Sequence, residues 1–269
     1  MDNKKVLFVS QEITPYLGES EISKLCRFLP QGIQERGKEI RTFMPRYGVI
    51  NERRNQLHEV IRLSGMNLII DDTDHPLIIK VASIQAARMQ VYFIDNEDYF
   101  NRKHVVRDTK GVEFTDNDER AIFFSRGVIE TVKKLRWSPD IVHVHGWLSA
   151  LIPIYLRKLY YDDPMFADLK IVYSIYNNEF TNPFRNTFSD KLMADGLQKS
   201  DIKHVEKADF VNLTKLAIDN SDGIVIGSKE INSDVEKYFE GLDKPVLGYQ
   251  GEEDYVDAYN EFYDNFLQK

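Results

Sequence analysis

The chain has 269 residues, 42% of them apolar and 29% charged, which suits one large core or a tight pair of domains and excludes a disordered segment. Its net charge is -8 and its pI about 5.4, so nucleic acid and anionic membrane are not expected partners, because a phosphate surface repels it on average. Cys26 is the only cysteine, which excludes an internal disulfide.

The opening MDNKKVLFVSQE pairs a charged start with an apolar run too short for a signal-peptide core or a membrane span. It reads as a first strand, and the cytoplasm is the expected compartment. Val6-Leu7-Phe8-Val9 has the continuous apolar character of a strand buried on both faces. Ser20 then precedes a helical pattern through Ile22, Leu25, Phe28, Leu29 and Ile33, stopped by Gly37. Glu39 to Met44 is the second strand, completing a βαβ unit whose crossover is right-handed.

Residues 57–95 change character. Runs at 67–71 and 77–82 flank Asp71-Asp72-Thr73-Asp74, a hairpin signal, and Met89 to Ile94 adds a strand. This is a β-hairpin insertion at one side of the sheet. Helical spacing returns over 116–136. A strand follows at Asp140 to Val144, a helix at Leu148 to Tyr160 and a strand at Lys170 to Ile175. Residues 188–221 are helical with breaks, Gly223 to Ile226 is a strand, and Ser228 is the expected N-cap of a helix through Phe239. The acidic tail from Gly251 to Lys269 places Tyr255, Tyr259, Phe262, Tyr263 and Phe266 on one helical stripe, expected to pack back on the domain. The alternation of strands and helices predicts an α/β fold, a doubly wound and mostly parallel Rossmann-like sheet.

Ligands of open parallel sheets bind beyond the carboxyl ends of the strands. That rule selects 10–24, 44–49, 143–150, 174–184 and 226–230. The first of these has one glycine, Gly18, and two glutamates at the helix start, which suit the helix dipole and repel a phosphate. A self-capped helix is the expected structure. His143 and His145 share one face of a strand, but no third ligand is evident, so no metal is expected. One of them suits a polar site position and the other a core position. Trp147 suits either a sugar-stacking platform or a helix anchor, and polar residues crowd Ser174 to Phe180. There is no Walker motif, GxGxxG or zinc spacing, and no segment combines nucleophile, base and orienting group. The residues alone give a ligand-binding α/β domain with no cofactor.

Several segments, in order, resemble the N-terminal domain of bacterial glycogen synthases and plant starch synthases. They are Glu12 and Pro15 after the first strand, Leu29-Pro30 at the end of the first helix, and Met44-Pro45-Arg46-Tyr47-Gly48 after the second strand. Asp116-Asn117 with Arg120, Pro139 through Trp147, and Asn212 with Lys215 complete the series. The resemblance runs from Val6 to about Phe239 and implies one lobe of a GT-B glycosyltransferase that takes glucose from ADP-glucose. It implies a lobe over 1–244, with the striped helix of 245–269 packed on it. It implies a substrate face of Glu12, Tyr16, Gly18, Tyr47, His145, Trp147, Tyr176 and Asn177, with Tyr16, Tyr47, Trp147, Tyr176 and Phe180 as candidate sugar-stacking residues. Glucan, as glycogen or maltooligosaccharide, is the implied ligand, and a separate second lobe or self-association would complete the cleft.

The departures from the family pattern are specific. The family's Lys-Thr-Gly-Gly-Leu becomes Gly18-Glu19-Ser20-Glu21-Ile22, exchanging a cation for two anions and disfavouring ADP-glucose. Its His-Asp-Trp becomes His145-Gly146-Trp147. Its Thr-Ile-His-Asn becomes Ser174-Ile175-Tyr176-Asn177, so Tyr176 stands at the active-site histidine and no residue is assigned as catalytic. The chain is expected to be weak or inactive alone, as a glucan-binding or partner-docking module.

Overall fold

The computed structural model describes residues 3–251 and 255–268, so residues 252–254 and Lys269 of the tail lie outside the described residues. β1 (Lys5–Ser10) leads through α1 (Glu21–Glu35) to β2 (Glu39–Pro45), which pairs parallel with it from Lys5↔Glu39 to Val9↔Phe43. The apolar run of β1 serves both faces: Val6 and Phe8 pack toward one side of the sheet, Leu7 and Val9 toward the other. Ser20 caps α1 reciprocally. Its hydroxyl accepts from the Ser23 amide at 3.0 Å, and the Ser23 hydroxyl accepts from the Ser20 amide at 2.7 Å. The helix does not end at Leu29-Pro30. Pro30 lies inside it, with buried Leu29 and Ile33 on either side holding the same face to the sheet.

The insertion comprises β3 (His58–Glu59), β4 (Met66–Ile70), β5 (Thr73–Ile84) and β6 (Met89–Asp95). The β4–β5 turn is Asp71-Asp72 with φ of 51° and 61°, the paired left-handed geometry of a two-residue hairpin. β6 joins β2 in parallel, and β5 and β3 continue the sheet antiparallel.

α2 (Glu97–Phe100), α3 (Asn117–Leu135), β7 (Ile141–His145), α4 (Ile152–Lys158), β8 (Lys170–Ile175), α5 (Phe188–Ala194), α6 (Phe210–Asp219), β9 (Gly223–Ile226), α7 (Ser233–Glu240), β10 (Val246–Leu247) and α8 (Tyr255–Leu267) complete the chain. The strand order is β10-β9-β8-β7-β1-β2-β6-β5-β3, with β4 paired to β5. The helix expected from Leu148 to Tyr160 is broken: Trp147–Ser149 forms a 3-10 turn before α4. α7 is capped by Asn232, whose side chain accepts from the Asp234 and Val235 amides, and not by Ser228. The Ser228 hydroxyl is committed elsewhere: it donates to the Glu21 carboxylate and accepts from the Asn177 amide.

α8 lies with α1 on one face. Tyr259, Phe262 and Tyr263 are buried against Val6, Phe8, Leu29 and Ile33. Two glycines shape its seat. A Cβ on Gly32 would fall 2.5 Å from Val256, and one on Gly223 2.6 Å from the Phe266 ring. Ion pairs Arg36–Asp257 at 2.6 Å and Lys38–Asp264 at 2.7 Å fix the helix along its length. Among the described residues, no helix is long and apolar enough to cross a membrane.

Candidate functional site

A cleft of about 400 Å³ opens at the carboxyl ends of the central strands. One wall comes from Gln11 and Glu12 after β1, Trp147 after β7 and Asn177 to Phe180 after β8. The facing wall is a strap between α2 and α3, contributing Val106, Arg107 and Glu113. Trp147 and Phe180 meet edge to face with centroids 5.1 Å apart, and Phe180 stacks on Phe184 at 4.7 Å. Both rings line the cleft and are mostly covered. The Asn178 amide has neither its oxygen nor its nitrogen hydrogen-bonded, although both are buried, so a donor–acceptor pair is left for a ligand.

The mouth of α1 is anionic and internally satisfied. The Glu12 carboxylate accepts from the Ser20 hydroxyl at 2.7 Å and from Gln11 Nε2 at 3.1 Å. Glu19 pairs with Lys24 at 3.1 Å, and Glu21 accepts from Ser228. The capping box takes up the Ser20 and Ser23 amides, and the nearby cation, Lys24, is paired with Glu19, so a phosphate at this end of α1 meets the carboxylates of Glu12, Glu19 and Glu21. Of the residues lining the cleft, Arg107 is the cation, and Glu113 neutralises it at 3.0 Å.

Of the expected substrate face, Glu12, Trp147 and Asn177 line this cleft, with Phe180 beside them. Gly18 sits on the exposed turn before α1, outside it. Tyr16 packs edge-on against Phe93 at 4.8 Å, and burial pushes its hydroxyl pKa up to about 12. Tyr47 lies under Arg120 in the core, 5.8 Å from the guanidinium. Tyr176 is buried against Gly227, where a Cβ would come within 2.4 Å of its ring, and its hydroxyl is 2.8 Å from His145 Nδ1. Tyr16, Tyr47 and Tyr176 are therefore corrected from stacking platforms to core packing, because their faces are covered by protein. His143 and His145 are also buried, their rings 3.9 Å apart. His143 bonds the Tyr263 hydroxyl at 2.5 Å and Ser174 at 2.7 Å. Burial lowers the pKa of His143 well below the usual value and that of His145 to about 3. His145 is thus a neutral core group, with no opening to the cleft.

Gln11, Asn178 and Glu179 fall in the segments 10–24 and 174–184 that the sequence selects, whereas Val106, Arg107 and Glu113 lie outside every selected segment. Arg107 and Glu113 sit in a strap with no hydrophobic period, so only the fold brings them to the site.

The chain matches the family model described as starch synthase catalytic domain over residues 5–246. The chain belongs to the starch synthase catalytic domain family. It is 36% identical over 230 residues to the glycogen synthase of Chlorobium luteolum, covering 84% of this chain and 46% of that protein. It is 34% identical over 253 residues to the glycogen synthase of Chlorobaculum parvum, covering 91% of this chain and 50% of that one. The fold matches the catalytic domain of starch synthase IV from Arabidopsis thaliana bound to ADP and acarbose, with a TM-score of 0.74 at 17% identity over 93% of this chain and 52% of that one. The chain spans about half the length of these relatives.

Within this starch synthase-type lobe, the exchange of the family's aspartate for Gly146 is tied to Gln11. Gly146 has φ +81°, and a Cβ there would lie 2.5 Å from Gln11 Oε1, which itself accepts from the Leu148 amide at 3.3 Å. Gly146→Asp is therefore expected to destabilise the lobe by about 2 kcal/mol through backbone strain and displacement of Gln11. Urea unfolding checks this, and an unchanged midpoint refutes it.

Proposed function

We propose that this chain is a glucan-holding lobe of the glycogen and starch synthase type that does not transfer glucose by itself. The observation that carries this reading is the mouth of α1. Transfer from a sugar diphosphate depends on positioning the donor and stabilising the departing phosphate charge. Here that position holds Glu12, Glu19 and Glu21, with the Ser20 and Ser23 amides taken up by a reciprocal cap. The cleft beside it supports a neutral polyhydroxy ligand, with Trp147 and Phe180 in its lining, the side-chain amides of Gln11, Asn177 and Asn178, and carboxylates that accept hydrogen bonds from hydroxyls. The starch synthase IV structure, which shares this fold, is bound to ADP and acarbose. The reading includes completion of the cleft by a second lobe or by self-association. The reading places the protein in the cytoplasm with glycogen metabolism.

Purified protein is expected to show no glucose transfer from ADP-glucose to glycogen. Its melting temperature is expected to rise with maltoheptaose and stay fixed with ADP-glucose, since a ligand of the folded state alone must stabilise it. Turnover by the isolated chain sinks the non-catalytic half of the reading. Absence of a maltoheptaose shift and of calorimetric heat sinks the glucan half.

A further inference from the structure

The strap from Asn101 to Asp116 is secured at its base and at its tip by different means. At the base, Arg102 pairs with Asp116, Arg120 donates to the Val105 carbonyl at 2.6 Å, and Asn117 donates to the Val106 carbonyl at 3.0 Å. At the tip, Glu113 is the junction. Its carboxylate accepts from the Thr181 amide at 2.8 Å, the Asn182 amide at 2.9 Å and Arg107 at 3.0 Å. Arg107, paired with Glu113 across a β-bridge, also donates to the Glu179 carbonyl at 3.3 Å. The Glu113 side chain is only 8% exposed, whereas Arg107 is 47% exposed. The carboxylate therefore acts away from bulk water, where charge-assisted bonds are stronger, and the guanidinium is largely screened.

These bonds join the two walls of the cleft. Val106, Arg107 and Glu113 form one wall, and Thr181 directly follows Asn177 to Phe180 of the other. The geometry points to Glu113 as a positioning residue: its carboxylate sets the spacing between the strap and the loop after β8, and so sets how well the cleft grips a saccharide. The saccharide part of this inference rests on the glucan reading above; the spacing part does not. Two parallel N–H donors to one carboxylate fix the loop in direction as well as distance, and neither alanine nor an unpaired glutamine nitrogen reproduces that.

The test pairs amide exchange by NMR with calorimetry on the full chain, using Glu113→Ala, Glu113→Gln and Lys110→Ala and maltoheptaose as the probe. In E113A the Thr181 and Asn182 amides are expected to lose protection while those of β7 and β8 keep theirs. Affinity for maltoheptaose is expected to fall about tenfold or more. E113Q, which keeps one acceptor oxygen, is expected to fall between E113A and the unaltered protein, and K110A, an exposed strap position outside the cleft lining, to stay within about twofold of the latter. If E113A fails to fold, E113Q carries the comparison. Equal affinity in a folded Glu113 variant whose two amides exchange freely overturns the proposal. So does a loss of affinity with both amides still protected. If the unaltered protein binds no maltoheptaose, the glucan reading fails on its own. The spacing role then stands if Thr181 and Asn182 lose protection in the variant, and falls if they keep it.

Discussion

A chain ending at residue 250 is expected to lose cooperative melting and to associate in solution. α8 buries Tyr259, Phe262 and Tyr263 against Val6, Phe8, Leu29 and Ile33. Burying a large apolar side chain is worth about 1.5–3 kcal/mol, so these three together carry about 6 kcal/mol, comparable to the whole net stability of many domains. Removal also strips the hydroxyl partner from His143 and uncovers a contiguous apolar groove around Gly32 and Gly223, the kind of surface that drives association. Circular dichroism melts and light scattering of the truncated chain check this. A monomer melting within a few degrees of the intact protein refutes it. Gly223→Leu offers a finer version: the added side chain meets Phe262 and Phe266, and the melt is expected to fall while α8 remains in the chain.

Mild acid is expected to weaken the fold steeply. His143 and His145 are buried side by side, and burial, with the neighbouring histidine added for His143, lowers both pKa values. A histidine with a lowered folded pKa takes up its proton mainly in the unfolded chain. Its stabilising effect is therefore complete above the ordinary value near 6.5 and is lost as pH falls toward the folded value, about 3 for His145. Each such group loses about 1.4 kcal/mol per pH unit once the unfolded form is fully protonated, so the pair loses about 2 kcal/mol between pH 6 and pH 5. That window lies above the range where carboxylates contribute most. Urea titrations at the two pH values measure the slope. Stability unchanged across the window shows that the pair does not stay neutral, and refutes the assignment.

The elements with a strong local signal were legible in the sequence. The apolar run of β1, the cap at Ser20 and the aromatic stripe of α8 each express a local rule, and packing reinforces each of them. The Asp71-Asp72 turn is legible for the same reason, since few residue pairs accept two left-handed conformations in succession. Ser228 misled because side-chain capping depends on competition: Glu21 and the Asn177 amide, both distant in sequence, occupy its hydroxyl, and Asn232 caps α7. The site was less legible than the fold. A tyrosine after a strand carries no mark of whether its ring turns outward, and Tyr16, Tyr47 and Tyr176 all turn inward. Glu113 and Arg107 acquire meaning only when the strap meets residues 179–182, through contacts 68 or more residues apart in sequence that no local pattern encodes.

The seat of α8 also constrains the order in which the lobe can be assembled. Its floor includes Val6 and Phe8 of β1, and its cover is contributed by residues as far along the chain as Tyr263. During translation that floor stays bare while β2 through β10 are made, a long-range closure of the kind that slows folding and exposes apolar surface to other nascent chains. A ribosome-associated holdase that recognises apolar strands would therefore find its binding window on this face of β1, from emergence of Val6 until Tyr263 has cleared the exit tunnel.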